Sequence, residues 1–248
     1  MAANLSWGAL GKSTDLRQRI LFTILVLVVY RLGTYIPVPG IDGTALKTFM
    51  EGQGQGLGGM LSLFTGGALA RMGIFALGVM PYISASIIVQ LLSSMIPQLE
   101  QLKKEGDQGR KKINQYTRYS TVALAIFQGW AIAASIAAGG LAHNPDLFFK
   151  IACVITLVGG TMFLMWLGEQ ITARGIGNGV SLIIFTGIVA EIPGALAQFL
   201  SQGRAGVIPV WVMIGAVVLV VAVIGFVVFM ERALRKIHIQ YPRRQVGM

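Results

Sequence analysis

The chain has 248 residues, of which 54% are hydrophobic and only 12% carry charge, and its formal net charge is +10. Soluble domains usually have about 25% charged residues, because charged surface keeps them dispersed in water. The composition therefore excludes an ordinary soluble domain and favours a membrane protein. The basic excess falls between long apolar stretches, so it fits an anionic membrane face or a docking partner better than nucleic acid.

Six stretches are apolar and long enough to cross a bilayer, since a spanning helix needs about 20 mainly apolar residues. In chain order they are 20–36, 74–96, 120–141, 151–168, 176–200 and 209–230. Pro81 interrupts the second stretch, where we expect either a kink or other partners for the backbone groups that proline leaves unbonded. The fifth carries Glu191 and Pro193 in its later part. The pattern predicts an all-α, polytopic membrane protein with six transmembrane helices.

The positive charges of the sequence lie mostly on one side of these six spans. Six spans put both termini on the same side, together with the segment 103–118 and the loop at Arg174. Those regions hold 15 of the 20 Lys and Arg residues. The positive-inside rule assigns such regions to the cytoplasm, so we expect both ends of the chain to be cytoplasmic.

One apolar segment, 57–72 (LGGMLSLFTGGALARM), is too short and too rich in glycine to cross. It follows the glycine-rich run 51–56, which has the composition of a flexible link. Segments of this kind either re-enter the membrane or lie on it as amphipathic helices. The pattern alone leaves both possibilities open.

The residues that an enzyme would need are sparse. The two histidines, His143 and His238, lie in loops, and the sequence contains no zinc-protease motif. We therefore expect no catalytic activity, metal or cofactor. Glu191 is the one carboxylate well inside a predicted span, which leaves an ion-coupled transporter as a weaker alternative. The run at 175–179 (GIGNG) fits a tight cytoplasmic turn better than a phosphate-binding loop, because it follows a membrane span.

Several long motifs resemble the bacterial SecY family, the central subunit of the protein-conducting translocon. They are PVPGID at 37–42, GIFALGVMPYISASIIVQ at 73–90, KKEG at 103–106, QYTRY at 115–119, TMFLMWLGEQIT at 161–172 and RGIGNG at 174–179. The matches follow the family's order over essentially the whole chain. The family has ten spans in two halves, so the resemblance implies that this chain is the N-terminal portion of a longer channel.

The resemblance implies that segment 57–72 is a short re-entrant plug helix that closes the resting pore from the external side. The plug residues would be Leu57, Met60, Leu61, Leu63, Phe64, Gly66, Gly67, Leu69 and Arg71. It also implies an aliphatic pore ring, for which the matching positions are Val79, Ile83 and Ile184. Val79 and Ile83 are four residues apart and can share one helical face. All three could instead be ordinary packing residues.

The second and third spans resemble one side of the family's lateral gate, and Gln90, Phe127 and Gln128 are the candidate gate residues. The two amides could instead hold helices together, as buried amides often do in membranes. The basic segments match surfaces that dock a ribosome or the SecA motor in this family. The docking candidates are Lys103, Lys104, Arg110, Lys111, Lys112, Arg235, Lys236, Arg243 and Arg244.

We predict the following organisation of the chain. Residues 1–19 form a cytoplasmic N-terminus, 20–200 the first half with spans one to five, 209–230 the sixth span, and 231–248 the start of a basic cytoplasmic loop. The implied function is translocation of unfolded secretory polypeptides across the bacterial inner membrane. Membrane proteins would be inserted into the same membrane through the lateral gate. The implied partners are SecE, SecG, a ribosome (with rRNA contacts) or SecA, a polypeptide with a signal sequence, and anionic lipids. A secondary transporter with helices broken near Pro81 or Pro193, and a non-conducting scaffold subunit, are the alternatives.

Overall fold

The computed structural model describes residues 14–43, 46, 62 and 65–233. Within these residues the chain forms seven helices and no strand, in agreement with the predicted all-α class. The helices are α1 (Thr14–Gly33), α2 (Met80–Met95), α3 (Pro97–Lys104), α4 (Asp107–Ala138), α5 (Leu147–Arg174), α6 (Gly179–Arg204) and α7 (Val210–Arg232).

Four of these helices, α4 to α7, are long and apolar enough to cross a membrane. A fifth span results if α2 and α3, which meet at a bend of 99°, are counted as one broken span. α1 has a shorter uninterrupted apolar stretch, because Arg17, Arg19 and Arg31 lie within it. The predicted number of six is therefore approximate.

The second span differs from its prediction in where the helix begins. Residues 65–79 form successive turns, and α2 begins only at Met80. Pro81 lies in the first turn of α2, so of the two alternatives expected there the kink is wrong. The first backbone N–H groups of a helix have no partner within the helix, and proline therefore starts a helix without the loss of a hydrogen bond. The bend lies instead at Ile96, just before Pro97 begins α3.

Two buried clusters form the core. One joins α4 and α5 to the loop residues, and small side chains such as Ala125 and Ala133 allow the helices to approach closely. The other joins α1, α5 and α6 to the irregular segment 65–79. Its buried members are Val26, Tyr30, Ala68, Phe75, Val79, Leu164, Leu167, Ile171 and Ile183. The irregular segment is thus part of the core rather than a surface loop.

Large apolar side chains cover much of the outer surface. Phe148 is 84% exposed, Ile155 66% and Leu91 59%. A soluble protein rarely exposes apolar surface on this scale, whereas a lipid environment covers it without cost. The outer surface is therefore suited to contact with lipid tails.

The chain divides into two compact units after Pro193. The described part of the second unit contains the end of α6 and the whole of α7. Within this unit Gly203 lies directly against the side chain of Met213, where a Cβ atom would come within 2.2 Å of the sulfur. The predicted domain boundaries, with a break between 200 and 209, remain a prediction.

Candidate plug seat and pore-facing cluster

The segment 65–79 is held by backbone hydrogen bonds to the residues that follow α1. The Val38 amide donates to the Met72 carbonyl at 2.9 Å, and the Ile74 amide donates to the Ile36 carbonyl at 2.9 Å. The Tyr30 hydroxyl, which is almost fully buried, donates to the Thr65 carbonyl at 3.4 Å. These bonds satisfy polar backbone groups that would otherwise be unpaired in an apolar interior.

Gly66 and Gly67 let this segment contact α6 directly. Both have positive φ angles, +62° and +77°, which other residues adopt only with strain. A Cβ atom at position 66 would lie 3.0 Å from the Gly187 Cα atom, and one at position 67 would lie 2.6 Å from the Glu191 Oε1 atom. The glycine pair thus makes both the turn and the close approach possible.

Two arginines converge on Glu191 beside this glycine pair. The Arg31 Nη2 atom lies 3.9 Å and the Arg71 Nη2 atom 3.7 Å from the Glu191 Oε1 atom. The Arg31 Nη1 atom donates to the Gly66 carbonyl at 2.7 Å. Both guanidinium groups lie over the ring of Tyr35, with Cζ to centroid distances of 5.3 Å for Arg31 and 4.5 Å for Arg71. We call Arg31, Arg71 and Glu191 the Glu191 cluster.

The three predicted pore-ring residues lie in one apolar cluster with Ala68. Val79 is 5% exposed, Ile83 and Ile184 are partly buried against the same core, and Ala68 is fully buried. Val79 is the N-cap residue of α2, and Ile83 follows in its first turns. Beside them Phe75 stacks on Tyr30, with ring centroids 6.1 Å apart. The aliphatic side chains are thus gathered where the irregular segment meets α2 and α6.

The candidate gate residues are only partly brought together. Phe127 and Gln128 line a groove of about 310 Å³ with Leu69 of the irregular segment and Met80 of α2. Gln90 does not line this groove; its amide donates to the Ser86 hydroxyl at 3.4 Å on its own helix. The gate role of Gln90 stays a prediction.

The basic residues between α2 and α4 are exposed and helical rather than in a loop. Lys103 and Lys104 end α3, whereas Arg110, Lys111 and Lys112 lie in the first turns of α4. A hydrogen bond from Lys104 to Glu100, at 2.7 Å, lowers the pKa of that carboxyl. All five basic side chains are exposed, and we call them together the basic face.

Nine site predictions fall outside the described residues. They are the plug residues Leu57, Met60, Leu61, Leu63 and Phe64 and the docking residues Arg235, Lys236, Arg243 and Arg244.

Two contacts were not anticipated from the sequence. Arg118 of α4 forms a bidentate ion pair with Glu169 of α5, with N···O distances of 3.1 and 2.6 Å. The Glu191 cluster is the other. Isolated charges in apolar segments usually find partners, so Arg31, Arg71 and Glu191 carried a signal, but the sequence does not specify which of them meet.

Neither proline creates the broken helix that a transporter site would require. Pro81 lies in the first turn of α2, and α6 continues through Pro193. These elements therefore give no support to the alternative of a secondary transporter with a site at either proline.

Fold and site together define a polytopic helical membrane protein in which an irregular, glycine-containing segment is seated among the helices. The SecY family model matches residues 73–248. The protein translocase subunits SecY of Buchnera aphidicola subsp. Acyrthosiphon kondoi and of Escherichia coli strain K12 are each 52% identical over 244 residues. Those matches cover 97% of this chain and 68% and 54% of the respective relatives. The chain belongs to the SecY family, and it spans about half the length of several of the relatives that it matches.

Solved structures show the same fold. A protein conducting channel aligns with a TM-score of 0.60 over 86% of this chain and 48% of its own. Sec61 in a canine ribosome–channel complex aligns with a TM-score of 0.59 over the same shares. Both are 21% identical in sequence, so they support the fold alone.

Proposed function

We propose that this chain forms the N-terminal portion, the first half and one further span, of the pore subunit of a protein-conducting channel. It would carry unfolded secretory polypeptides across the bacterial inner membrane and release apolar segments into lipid through a lateral gate. Membership of the SecY family is the observation that carries the proposal. Both ends of the described chain would face the cytoplasm.

The geometry around Val79 supports a pore-ring role for Val79, Ile83 and Ile184. A ring of aliphatic side chains excludes ions because a narrow apolar constriction loses its water, yet it binds no passing side chain strongly. In this structure the three residues contact one apolar cluster that also contains Ala68 of the irregular segment. The described part of the proposed plug, residues 65–72, would therefore rest against the ring in the closed state.

The exposed basic face supports a docking role for the cytoplasmic side. Lysines and arginines at the end of α3 and the start of α4 would attract phosphate groups of ribosomal RNA or an acidic surface of the SecA motor. Anionic lipid headgroups would be attracted to the same face. SecE and SecG are the proposed companion subunits.

The test is the ion leak of resting channels reconstituted from the complete protein with its companion subunits. Val79→Gly combined with Ile83→Gly should increase the leak of monovalent ions at least severalfold, because the constriction widens and takes up water. Ile87 and Leu91 provide a matched control, since they are also four residues apart on α2 but are 52% and 59% exposed. The same double change to glycine at those positions should leave the leak unchanged.

An equal leak from both pairs would contradict the pore-ring assignment. In that case the effect would reflect a general weakening of α2 by glycine rather than the loss of a constriction.

A further inference from the structure

We propose that Glu191 is a positioning residue that holds the segment 65–72 in its seat by charge. It would do so through Arg71, which lies in that segment, and through Arg31, whose guanidinium binds the segment's backbone. The inference rests on the proposed channel function for its consequence, ion sealing, but the contacts themselves do not depend on it. The cluster would add ion pairs to the apolar packing and backbone hydrogen bonds that otherwise hold the segment.

The cluster joins three parts of the chain that are far apart in sequence. Arg31 lies in the last turn of α1, Arg71 in the irregular segment and Glu191 in α6. Arg31 makes two kinds of contact, because its Nη1 atom binds the Gly66 carbonyl at 2.7 Å while its Nη2 atom faces Glu191 at 3.9 Å. Arg31 therefore connects the segment to α6 without belonging to either.

Charge balance explains why Glu191 matters to both arginines. Two guanidinium groups approach a single carboxylate oxygen and share the ring of Tyr35. Without the negative charge they would repel each other across the short distance that the ring and the carboxylate now occupy. Loss of the carboxylate charge thus removes two attractions and leaves one repulsion at the edge of the segment.

The environment allows these charges to act on one another. The Glu191 side chain is 28% exposed, that of Arg31 25% and that of Arg71 41%. Partial burial weakens the screening by water and salt that makes fully exposed ion pairs contribute little. The Glu191 Oε1 atom is itself buried and accepts no hydrogen bond. Replacement of Glu191 by glutamine therefore removes charge at this atom without breaking a hydrogen bond there.

The close approach of Gly67 is an independent reason for the segment to lie against α6 at this position. Its absent side chain leaves room for the Glu191 carboxylate within 2.6 Å of where a Cβ atom would be. The segment and the carboxylate are thus in direct contact. A shift of the segment away from α6 would expose Glu191 and separate it from Arg71.

The test measures backbone hydrogen exchange of residues 65–73 in the complete channel, with and without Glu191→Gln. Amide exchange reports local opening, and the amides of Arg71, Met72 and Gly73 are bonded to carbonyls within this segment. Two partly screened ion contacts correspond to about a three- to tenfold faster exchange when they are lost. High salt should accelerate exchange in the unchanged protein but not in the glutamine variant, where only the repulsion between the two arginines is left to screen.

Glu169→Gln is the matched control, because it removes another interhelical ion pair, with Arg118, away from the segment. It should leave exchange at 65–73 unchanged. The exchanged pair Arg71→Glu with Glu191→Arg keeps two positive charges and one negative charge in the cluster. It should restore exchange to within about twofold of the unchanged protein, since opposite charges again face each other.

Ion leak, measured in parallel, separates this inference from the proposed function. Faster exchange in Glu191→Gln without any leak supports the positioning role and argues against the channel role of the segment. If amide exchange at 65–73 in Glu191→Gln is no faster than in Glu169→Gln, the positioning role is overturned, whatever the ion leak. Exchange in the charge-exchanged variant as fast as in Glu191→Gln also overturns it, because charge pairing would then not be the cause.

Discussion

Two adjacent glycines in α5 should respond oppositely to alanine. Gly160 is buried against the turn that precedes α2, and a Cβ atom there would lie 2.0 Å from the Ile74 carbonyl oxygen. Gly159 is exposed, and a Cβ atom there would meet nothing within 4 Å. The two substitutions are chemically identical and differ only in the direction that the new methyl group takes.

The size of the effect follows from that distance. A carbon and an oxygen atom rarely approach within about 3.2 Å, so Gly160→Ala must move the Ile74 backbone or α5 by about 1 Å. Overpacking of this kind usually costs about 1–3 kcal/mol. In a helix interior, alanine gains up to about 1 kcal/mol over glycine. We expect Gly160→Ala to lose about 1–2 kcal/mol net, whereas Gly159→Ala should be neutral or slightly stabilising.

This difference can be measured by thermal unfolding of the purified complex in detergent, with the remaining folded fraction recorded at each temperature. Gly160→Ala should unfold several degrees below the unchanged protein and Gly159→Ala at or above it. The displaced Ile74 also leads towards Val79, so the Gly160 variant should show a greater ion leak. Equal unfolding temperatures for the two variants would refute the packing of α5 on the segment before α2.

Two further predictions concern the side of the membrane that we propose to be cytoplasmic. The Asn178 side chain accepts hydrogen bonds from the Val180 amide at 3.1 Å and the Ser181 amide at 3.3 Å, so it caps α6. Asn178→Ala should destabilise the protein by about 1 kcal/mol in thermal unfolding, and Asn178→Asp should retain most of the stability; equal losses would argue against a cap. Lys104 lowers the pKa of Glu100 below its usual 4.5, so the pair stabilises α3 above that pH and the stabilisation disappears as the pH falls through the lowered pKa. The stability difference between Glu100→Gln and the unchanged protein should therefore be present at pH 7 and absent in strong acid, and a difference that persists in strong acid would contradict it.

The proposed pore ring and the Glu191 cluster would make different contributions to a closed channel. Aliphatic packing around Val79 would prevent ions from passing, whereas the Glu191 cluster would keep the segment 65–72 where that packing is complete. Apolar contacts are not directional, so they allow a segment to slide. Charges at fixed positions restrict it, and this is a physical reason for a channel to use both.

The sequence by itself determined the class of the protein and most of its helices. Apolar length and low charge are local properties, and they predicted α4 to α7 because a bilayer imposes the same requirement on every spanning helix. The short, glycine-broken stretch at 57–72 was likewise predicted not to span, and its described part, 65–72, forms turns. The long motifs at 73–90 and 161–172 were sufficient to indicate the family.

The tertiary structure alone decided where the isolated charges pair and where the second span begins. Arg31 and Glu191 are distant in sequence, and no local pattern selects one partner from several isolated charges. The late start of α2 has the same origin. Residues 74–79 are apolar enough for a helix, but their backbone bonds to Ile36 and the contact with Gly160 favour turns. Such contacts between distant segments depend on the packed fold, which hydropathy cannot report.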